Sequence, residues 1–116
     1  RGRMKPFGAI VESLAMQPGV RGVVIAAMDG IVVESVVHVE VRADLIAAFG
    51  CAVLARARAV GAAVNHAPPR CVAVDAESGR LCLTGNDDVA IIILAEPRAP
   101  IGRLRLALRE ALESIP

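Results

Sequence analysis

The three cysteines are the residues of this sequence most suited to chemistry. Cys51, Cys71 and Cys82 form no Cys-x-x-Cys pair and lie near no pair of histidines, so we expect no structural zinc site. If the chain turns at residues 77–79, Cys71 and Cys82 become diagonal neighbours on one face of a hairpin, with Ala73 opposite Cys82. Diagonal positions are generally too far apart for an unstrained disulfide, which favours two small core residues over a redox pair.

Other residue types that carry catalysis are scattered without partners. His38 and His66 have no second ligand at metal spacing, and the acidic pair at residues 87–88 lacks the alternating oxygen ligands of a calcium loop. No serine lies in a Gly-x-Ser-x-Gly elbow, and the chain has no Walker-type Gly-x-x-x-x-Gly-Lys. The sequence therefore predicts no catalytic, cofactor-binding or metal-ligating residue and a protein that is not an enzyme. An enzymatic alternative rests on Cys71 and Cys82 alone.

Composition and charge exclude several classes of protein. The 116 residues are 55% hydrophobic and 22% charged, which excludes intrinsic disorder. The formal net charge is +1 and the arginines are scattered, so the chain shows no electrostatic footprint for nucleic acid. Phe7 and Phe49 are also too few aromatic residues to stack bases. Three free thiols and the lack of a signal peptide predict a cytoplasmic protein.

Hydrophobic periodicity and turn residues predict an α+β chain in the order α-β-β-α-β-β-β-α. The strongest local signal is Asp29-Gly30 between two β-branched runs, which predicts a type I′ hairpin turn. Asp44 is expected to cap the long middle helix. The predicted helices begin at Pro6, Leu45 and Ile101, and the predicted strands cover residues 22–28, 31–37, 70–76, 80–84 and 89–95, the last of them buried on both faces.

The middle helix, residues 45–64, is apolar on nearly every side. One stripe is expected to face the sheet, and it consists of Ile46, Phe49, Val53, Ala57, Val60 and Val64. The other side is lined by Ala48, Ala52, Ala55, Ala59 and Ala62, with a narrow small-residue track at its border formed by Gly50, Ala57 and Gly61. A membrane span would bury Arg56 and Arg58 at a cost of about 5–7 kcal/mol, so we expect no membrane insertion.

A helix that is apolar all round needs a cover on its outer side, and a second copy of the chain is the simplest cover. The sequence therefore predicts a homodimer in which the alanine side of the middle helix is buried. The alternative is an exposed, alanine-rich helix in a chain that uses alanine throughout.

The order of these elements resembles that of roadblock (dynein light chain) domains, which are relatives of the longin and profilin-like folds. The motifs that carry the resemblance lie between about Lys5 and Ile115, at residues 19–24 (GVRGVV), 29–33 (DGIVV), 47–48 (AA), 79–81 (GRL) and 100–104 (PIGRL). The resemblance implies a five-stranded antiparallel sheet with the first and last helices on one face and the middle helix on the other. It also implies dimerisation through the middle helix and the third strand.

The same resemblance implies a partner. Bacterial members of the family commonly bind Ras-like small GTPases as dimers, with the two middle helices as the platform. Some of them accelerate GTP hydrolysis by arranging the catalytic groups of the GTPase without donating an arginine.

We therefore expect one roadblock-like domain over residues 4–116, with residues 1–3 a cloning remnant or disordered. The expected function is that of a homodimeric regulator or scaffold that binds a small GTPase and modulates its nucleotide cycle, without a cofactor. The predicted dimer interface consists of Ala48, Ala52, Ala55, Ala59, Ala62, Cys71, Ala73 and Asp75, and the predicted partner contacts are Arg56 and Arg58. The alternative is a small-ligand sensory module or a general protein-interaction module on a profilin-like fold.

Overall fold

The computed structural model describes residues 6–38 and 40–115. Within them, three helices and five strands follow one another in the predicted order. The helices are α1 (Phe7–Ala15), α2 (Ala43–Ala63) and α3 (Ile101–Glu113), and the strands are β1 (Val20–Ala27), β2 (Val32–Val37), β3 (Val72–Ala76), β4 (Gly79–Gly85) and β5 (Val89–Ala95). The interpretation of residues 1–3 falls outside the described residues, and the domain bounds 4–116 stay a prediction.

The five strands form one antiparallel sheet in the order β2-β1-β5-β4-β3. β5 lies at its centre, where an unbroken apolar run can be buried on both faces, as the sequence predicts. Because side chains alternate along a strand, Ile91 and Ile93 face one layer of the core while Ala90 and Ile92 face the other.

Helices cover this sheet on both faces. α1 and α3 pack on one face through residues such as Leu14 and Leu108, which are almost fully buried. α2 packs on the opposite face, where Leu54 belongs to the same buried cluster as Leu83 and Ile92. This arrangement confirms the predicted fold class, an α+β sandwich with two helices on one face of the sheet and one helix on the other.

The β1–β2 hairpin differs from the predicted type I′ turn. That turn needs positive φ at two successive residues, whereas Gly30 has φ +92° and Asp29 is not among the residues with positive φ. The N–H of Gly30 instead donates to the carbonyl of Ala27 at 2.8 Å, and the N–H of Ala27 donates to the carbonyl of Ile31 at 2.8 Å. The loop is therefore three residues long, with glycine at the position that needs left-handed backbone.

The β3–β4 hairpin has the predicted register. Ala73 pairs with Cys82 and Asp75 pairs with Arg80. Cys82 is buried in the layer beneath α1 and α3, and Cys71 packs against the same layer. Both are free thiols, which agrees with their interpretation as small packing residues.

The start of α2 corrects the predicted helix cap. The helix begins at Ala43 with Arg42 as its cap residue, and it has no side-chain cap hydrogen bond. Asp44 lies inside the first turn, where its carboxylate accepts hydrogen bonds from Nε and Nη2 of Arg42 at 3.1 and 2.6 Å. A carboxylate at this position still complements the positive end of the helix dipole.

Candidate interaction surface

The face of α2 that packs on the sheet is not the predicted stripe of large residues. The buried residues of the helix are Ala47, Gly50, Cys51 and Leu54. Phe49 and Val60, which the sequence assigned to the core, are 64% and 66% exposed, and Val64 is also exposed. Three of the four buried residues are small, so the helix lies close to the sheet. The small-residue track therefore faces this chain's own sheet at Gly50.

The tight packing has a specific cause at Gly50. A Cβ atom at this position would lie 2.8 Å from Cγ1 of Ile92 and would also contact Cδ1 of that residue. Real Cβ atoms essentially never approach another atom so closely, so the helix can sit at this height only because residue 50 has no side chain.

The two arginines of α2 differ in their surroundings. Arg56 is exposed, with no hydrogen bond or ion pair among the described residues. Arg58 is half-buried, and its Nη2 donates to the carbonyl of Asn86 at 3.0 Å. Arg58 therefore links α2 to the turn between β4 and β5. Of the two predicted partner contacts, Arg56 is the one whose guanidinium has no partner among the described residues.

The alanine side of α2 is open in the single chain. Every alanine of the predicted interface on this helix is exposed, namely Ala48, Ala52, Ala55, Ala59 and Ala62. This side leans toward the β1–β2 turn, because the Cα of Ala48 lies 3.7 Å from the position a Cβ would take at Gly30. The structure does not test whether a second copy covers these residues, and their assignment to a dimer interface stays a prediction.

A second apolar side of α2 points toward β4 and the β3 edge of the sheet. We call it the Phe49 flank, and it consists of Leu45, Ile46, Phe49, Val53 and Val60. Ile46 and Phe49 line an open pocket of about 500 Å³ together with Leu81 of β4. Leu45, Phe49 and Val60 are exposed, whereas Ile46 and Val53 are partly buried against the core. Exposed apolar side chains grouped in this way usually mark an interaction surface.

α2 is also long and apolar enough to cross a membrane, by length and composition alone. Its inner face is already used against the sheet, and Arg56 and Arg58 lie within it. These features favour a helix that packs on protein, and the absence of membrane insertion stays a prediction.

The edge strand β3 projects beyond the cover of the helices. Ala73, Val74, Asp75 and Ala76 are all exposed, although they lie in a regular ladder with β4. Val74 lies on the α2 side of the sheet, whereas Ala73 and Asp75 lie on the α3 side. The carboxylate of Asp75 accepts a hydrogen bond from Nε of Arg80 at 2.6 Å, and Nη1 of Arg80 also donates to the carbonyl of Ala99 at 2.9 Å.

The opposite edge of the sheet is different. The pairing of β2 with β1 shifts between Ile25 and Ala26, so that Val33 of β2 is an extra residue without a partner in the register. Such a bulge twists an edge strand and blocks pairing with another chain. Of the two edges, β3 is therefore the one suited to receive another strand.

A groove that the sequence analysis did not foresee lies on the α3 side, next to the start of β3. It is open, has a volume of about 1010 Å³ and is lined by Pro69, Arg70, Cys71, Thr84, Gly85, Gly102, Arg105, Leu106, Arg109, Glu110, Leu112 and Glu113. Gly102, Arg105, Leu106 and Arg109 recur at helical spacing, which could have indicated one continuous side of α3.

The thiols are not activated by their surroundings. Burial raises the pKa of Cys82 to about 11, and the neighbouring Cys71 thiol acts in the same direction. Burial also raises the pKa of Cys71, although the charge of Arg105 opposes this effect. All three cysteines, including Cys51, have a pKa above the ordinary value, which supports structural roles for them.

Comparison with known proteins gives relatives of low sequence identity and close structural likeness. No family model matches the chain. The uncharacterized protein MJ1340 of Methanocaldococcus jannaschii is 22% identical over 106 residues, which cover 91% of this chain and 93% of that protein.

Solved structures are more informative. A roadblock/LC7 domain from Streptomyces avermitilis superposes with a TM-score of 0.85 and 19% identity, over 95% of this chain and 94% of that one. MglB of Myxococcus xanthus superposes with a TM-score of 0.82 and 14% identity, over 92% of this chain and 82% of that one. The chain therefore has the fold of the roadblock/LC7 domains.

Proposed function

We propose that the protein is a homodimeric regulator or scaffold that binds a Ras-like small GTPase through the outer surface of its paired α2 helices. One observation carries the proposal: the Phe49 flank of α2 lines a pocket with Leu81 of β4, the ladder partner of Val74 in β3, and β3 is an edge strand that is regular, exposed on both faces and free to pair. A second copy of the chain would cover both features at once.

The dimer follows from the two edges of the sheet. β2 is protected by the bulge at Val33, whereas β3 presents five consecutive residues in a regular ladder. Exposed regular edges readily accept another strand. Pairing of β3 with the β3 of a second copy would extend the sheet to ten strands and bring the two Phe49 flanks together above the junction.

The partner surface would then be the alanine side of α2, which such a dimer leaves open in place of the interface that the sequence predicts, with Arg56 at the border between this side and the Phe49 flank. It presents Arg56 with a free guanidinium, on a background of alanines that lets a partner approach closely. The likeness to MglB of Myxococcus xanthus and to roadblock/LC7 domains supports the assignment, because binding of small GTPases is what the resemblance to this family implies. In this proposal the chain supplies no catalytic residue and acts by positioning groups of the GTPase.

The experiment is a binding and hydrolysis assay. Each Ras-like GTPase encoded near this gene is mixed with the protein in its GDP form and in its GTPγS form, and the mass of the complex is measured by light scattering. Single-turnover GTP hydrolysis is measured on the same mixtures. We expect a complex of one dimer with GTPase, stronger for one nucleotide form than for the other.

A pair of charge variants makes the assay specific. Arg56→Glu on α2 is expected to weaken the complex about tenfold or more, because it places a like or unmatched charge in the contact. Arg103→Glu, on the exposed side of α3, serves as the control and is expected to bind normally. Absence of any complex, or equal loss in both variants, would reject the proposal.

The small-ligand alternative has less support. Such a module would hold its ligand between helix and sheet, and on the α2 side that space is filled by Val24, Leu54, Leu83 and Ile92, none of them more than 1% exposed. Close packing of this kind leaves no room for a ligand there.

A further inference from the structure

The groove between α3 and the residues that precede β3 is lined by three arginines and by Glu110 and Glu113, so its positive charges outnumber its negative charges by one. Among residues 6–38 and 40–115, the ion pairs are Arg42–Asp44 and Arg80–Asp75, so that Arg70, Arg105 and Arg109 of the groove have no acidic partner within 4.0 Å. Arg105 lies next to the Cys71 thiol on the groove floor. An acidic group at this end of the groove would therefore meet positive charge.

The geometry of a β3–β3 pair shows which acidic group would arrive there. In an antiparallel pair, directly opposed residues have their side chains on the same face of the sheet. A twofold axis between two identical strands must therefore lie midway between the two copies of one residue, which we call the residue on the axis. With Val74 on the axis, all five residues of β3 are paired. With Ala73 or Asp75 on the axis only three are paired, and Asp75 on the axis would also oppose two carboxylates.

The Val74 register places two features opposite each other. Ala73 then faces Asp75 of the partner subunit. Two residues further from the axis, just beyond the paired strand, Cys71 lies three residues before Val74 and Glu77 three residues after it. The turn that follows β3 in the partner subunit therefore reaches the mouth of the groove beside Cys71 and Arg105.

That turn is held in place within its own chain. Nη1 of Arg21 donates to the carbonyl of Ser78 at 2.9 Å, and a Cβ at Gly79 would lie 3.7 Å from the same Nη1. Glu77 is exposed and belongs to none of the ion pairs among the described residues. A turn fixed in this way loses little backbone freedom when it docks.

We infer that the groove between α3 and the start of β3 is the docking site for the β3–β4 turn of a second copy, with Glu77 of the partner subunit paired to Arg105 and close to Arg70. The inference rests on the homodimer of the proposed function and adds to it a specific ionic contact. By twofold symmetry the contact occurs twice, so each dimer has both turns docked.

The test is a charge exchange on the full chain. Glu77→Arg and Arg105→Glu each place like charges at both contacts, and the dimer dissociation constant, measured by sedimentation over a concentration series, is expected to rise about tenfold. The double variant Glu77→Arg/Arg105→Glu restores opposite charges and is expected to bring the dimer dissociation constant most of the way back to that of the unaltered chain. Arg103→Glu is the matched control, and circular dichroism confirms that each variant folds, since all of these side chains are exposed.

The outcomes distinguish a failure of the groove contact from a failure of the homodimer on which it rests. If the unaltered chain is a dimer but both reversals behave like Arg103→Glu, or the double variant is weaker than either single one, the groove contact is wrong and the homodimer stands. If the unaltered chain is monomeric at tens of micromolar, both the homodimer and the contact are wrong. Recovery in the double variant, with loss in each single one, supports the contact.

Discussion

Gly50 of α2 lies directly against Ile92 of β5, so closely that a Cβ atom on residue 50 would come within 2.8 Å of Cγ1 of Ile92. This contact sets the height of α2 above the sheet. It also turns the helix so that its small residues face inward, which leaves Phe49 and Val60 outside.

Replacement of Gly50 by alanine is expected to lower the free energy of unfolding by about 1–2 kcal/mol, because the added methyl group overpacks a filled core by more than the gain in helix propensity. Gly61→Ala is the matched control in the same helix. A Cβ there would lie 3.5 Å from the carbonyl oxygen of Ala67, an ordinary contact, so this variant is expected to be as stable as the parent or up to about 1 kcal/mol more stable. Urea unfolding measures both, and equal stability of the two variants would contradict the close contact.

The element order, the sheet and its β3–β4 register could be predicted because they follow from local signals. Alternation of side chains and a turn at residues 77–79 leave one register in which Ala73 faces Cys82, and the structure has that register. The unbroken apolar run of β5 likewise has one suitable place, the centre of the sheet.

The orientation of α2 could not be predicted, since its wheel offers apolar residues on several sides. The wheel favours the stripe with the largest side chains as the core face, yet the sheet beneath is already filled by bulky residues such as Ile92 and Leu83. Only small residues of the helix fit above them. The fit depends on the volume of residues far away in the sequence, and a helical wheel does not contain that information.

The groove beside α3 could not be predicted from the sequence for a related reason. Its floor comes from residues 69–71, just before β3, and from the end of β4, and its wall comes from α3. Arg105 looks like an ordinary solvated arginine until the fold places it next to Cys71.

The Phe49 flank is expected to contribute more to the dimer than the alanines nearest the β1–β2 turn. Phe49→Glu would place a charge in the apolar contact beside β3, and we expect the dimer dissociation constant to rise by more than about tenfold. Ala48 lies on the side of α2 that faces Gly30, so Ala48→Glu is expected to raise the dimer dissociation constant much less. Light scattering over a dilution series measures both variants. The opposite order of effects would show that the contact runs along the alanine side.

The stability of the fold is expected to decrease between pH 9 and pH 11. The pKa of Cys82 is about 11 in the folded chain against 9.0 for an unperturbed thiol, because burial disfavours the thiolate. A raised pKa in the folded state means that the unfolded chain loses its proton first, so the stabilising effect is complete below pH 9 and is lost as the pH rises toward 11.

Urea unfolding at pH 8, 9, 10 and 11 measures this loss. The chain contains no tyrosine and Lys5 is its one lysine, so the thiols dominate titration in this window. Cys82→Ala is expected to have lower stability at pH 8 but a flatter dependence on pH. A slope as steep as that of the parent would show that burial of Cys82 is not the cause.

The register proposed for the dimer is expected to bring the two copies of Val74 within disulfide distance. Directly opposed residues in an antiparallel pair have Cα atoms about 4.5–5.5 Å apart, inside the range a disulfide spans. Val74→Cys is therefore expected to form a covalent dimer under mild oxidation, visible as a reducible band of doubled mass in gel electrophoresis. Ala76→Cys is the control, because its two copies would be about 13 Å apart in this register, at about 3.3 Å per residue. The unaltered chain controls for the native thiols, of which Cys51 and Cys82 are buried. A cross-link that forms with Ala76→Cys but not with Val74→Cys would exclude the register, and with it the placement of Glu77 opposite Cys71.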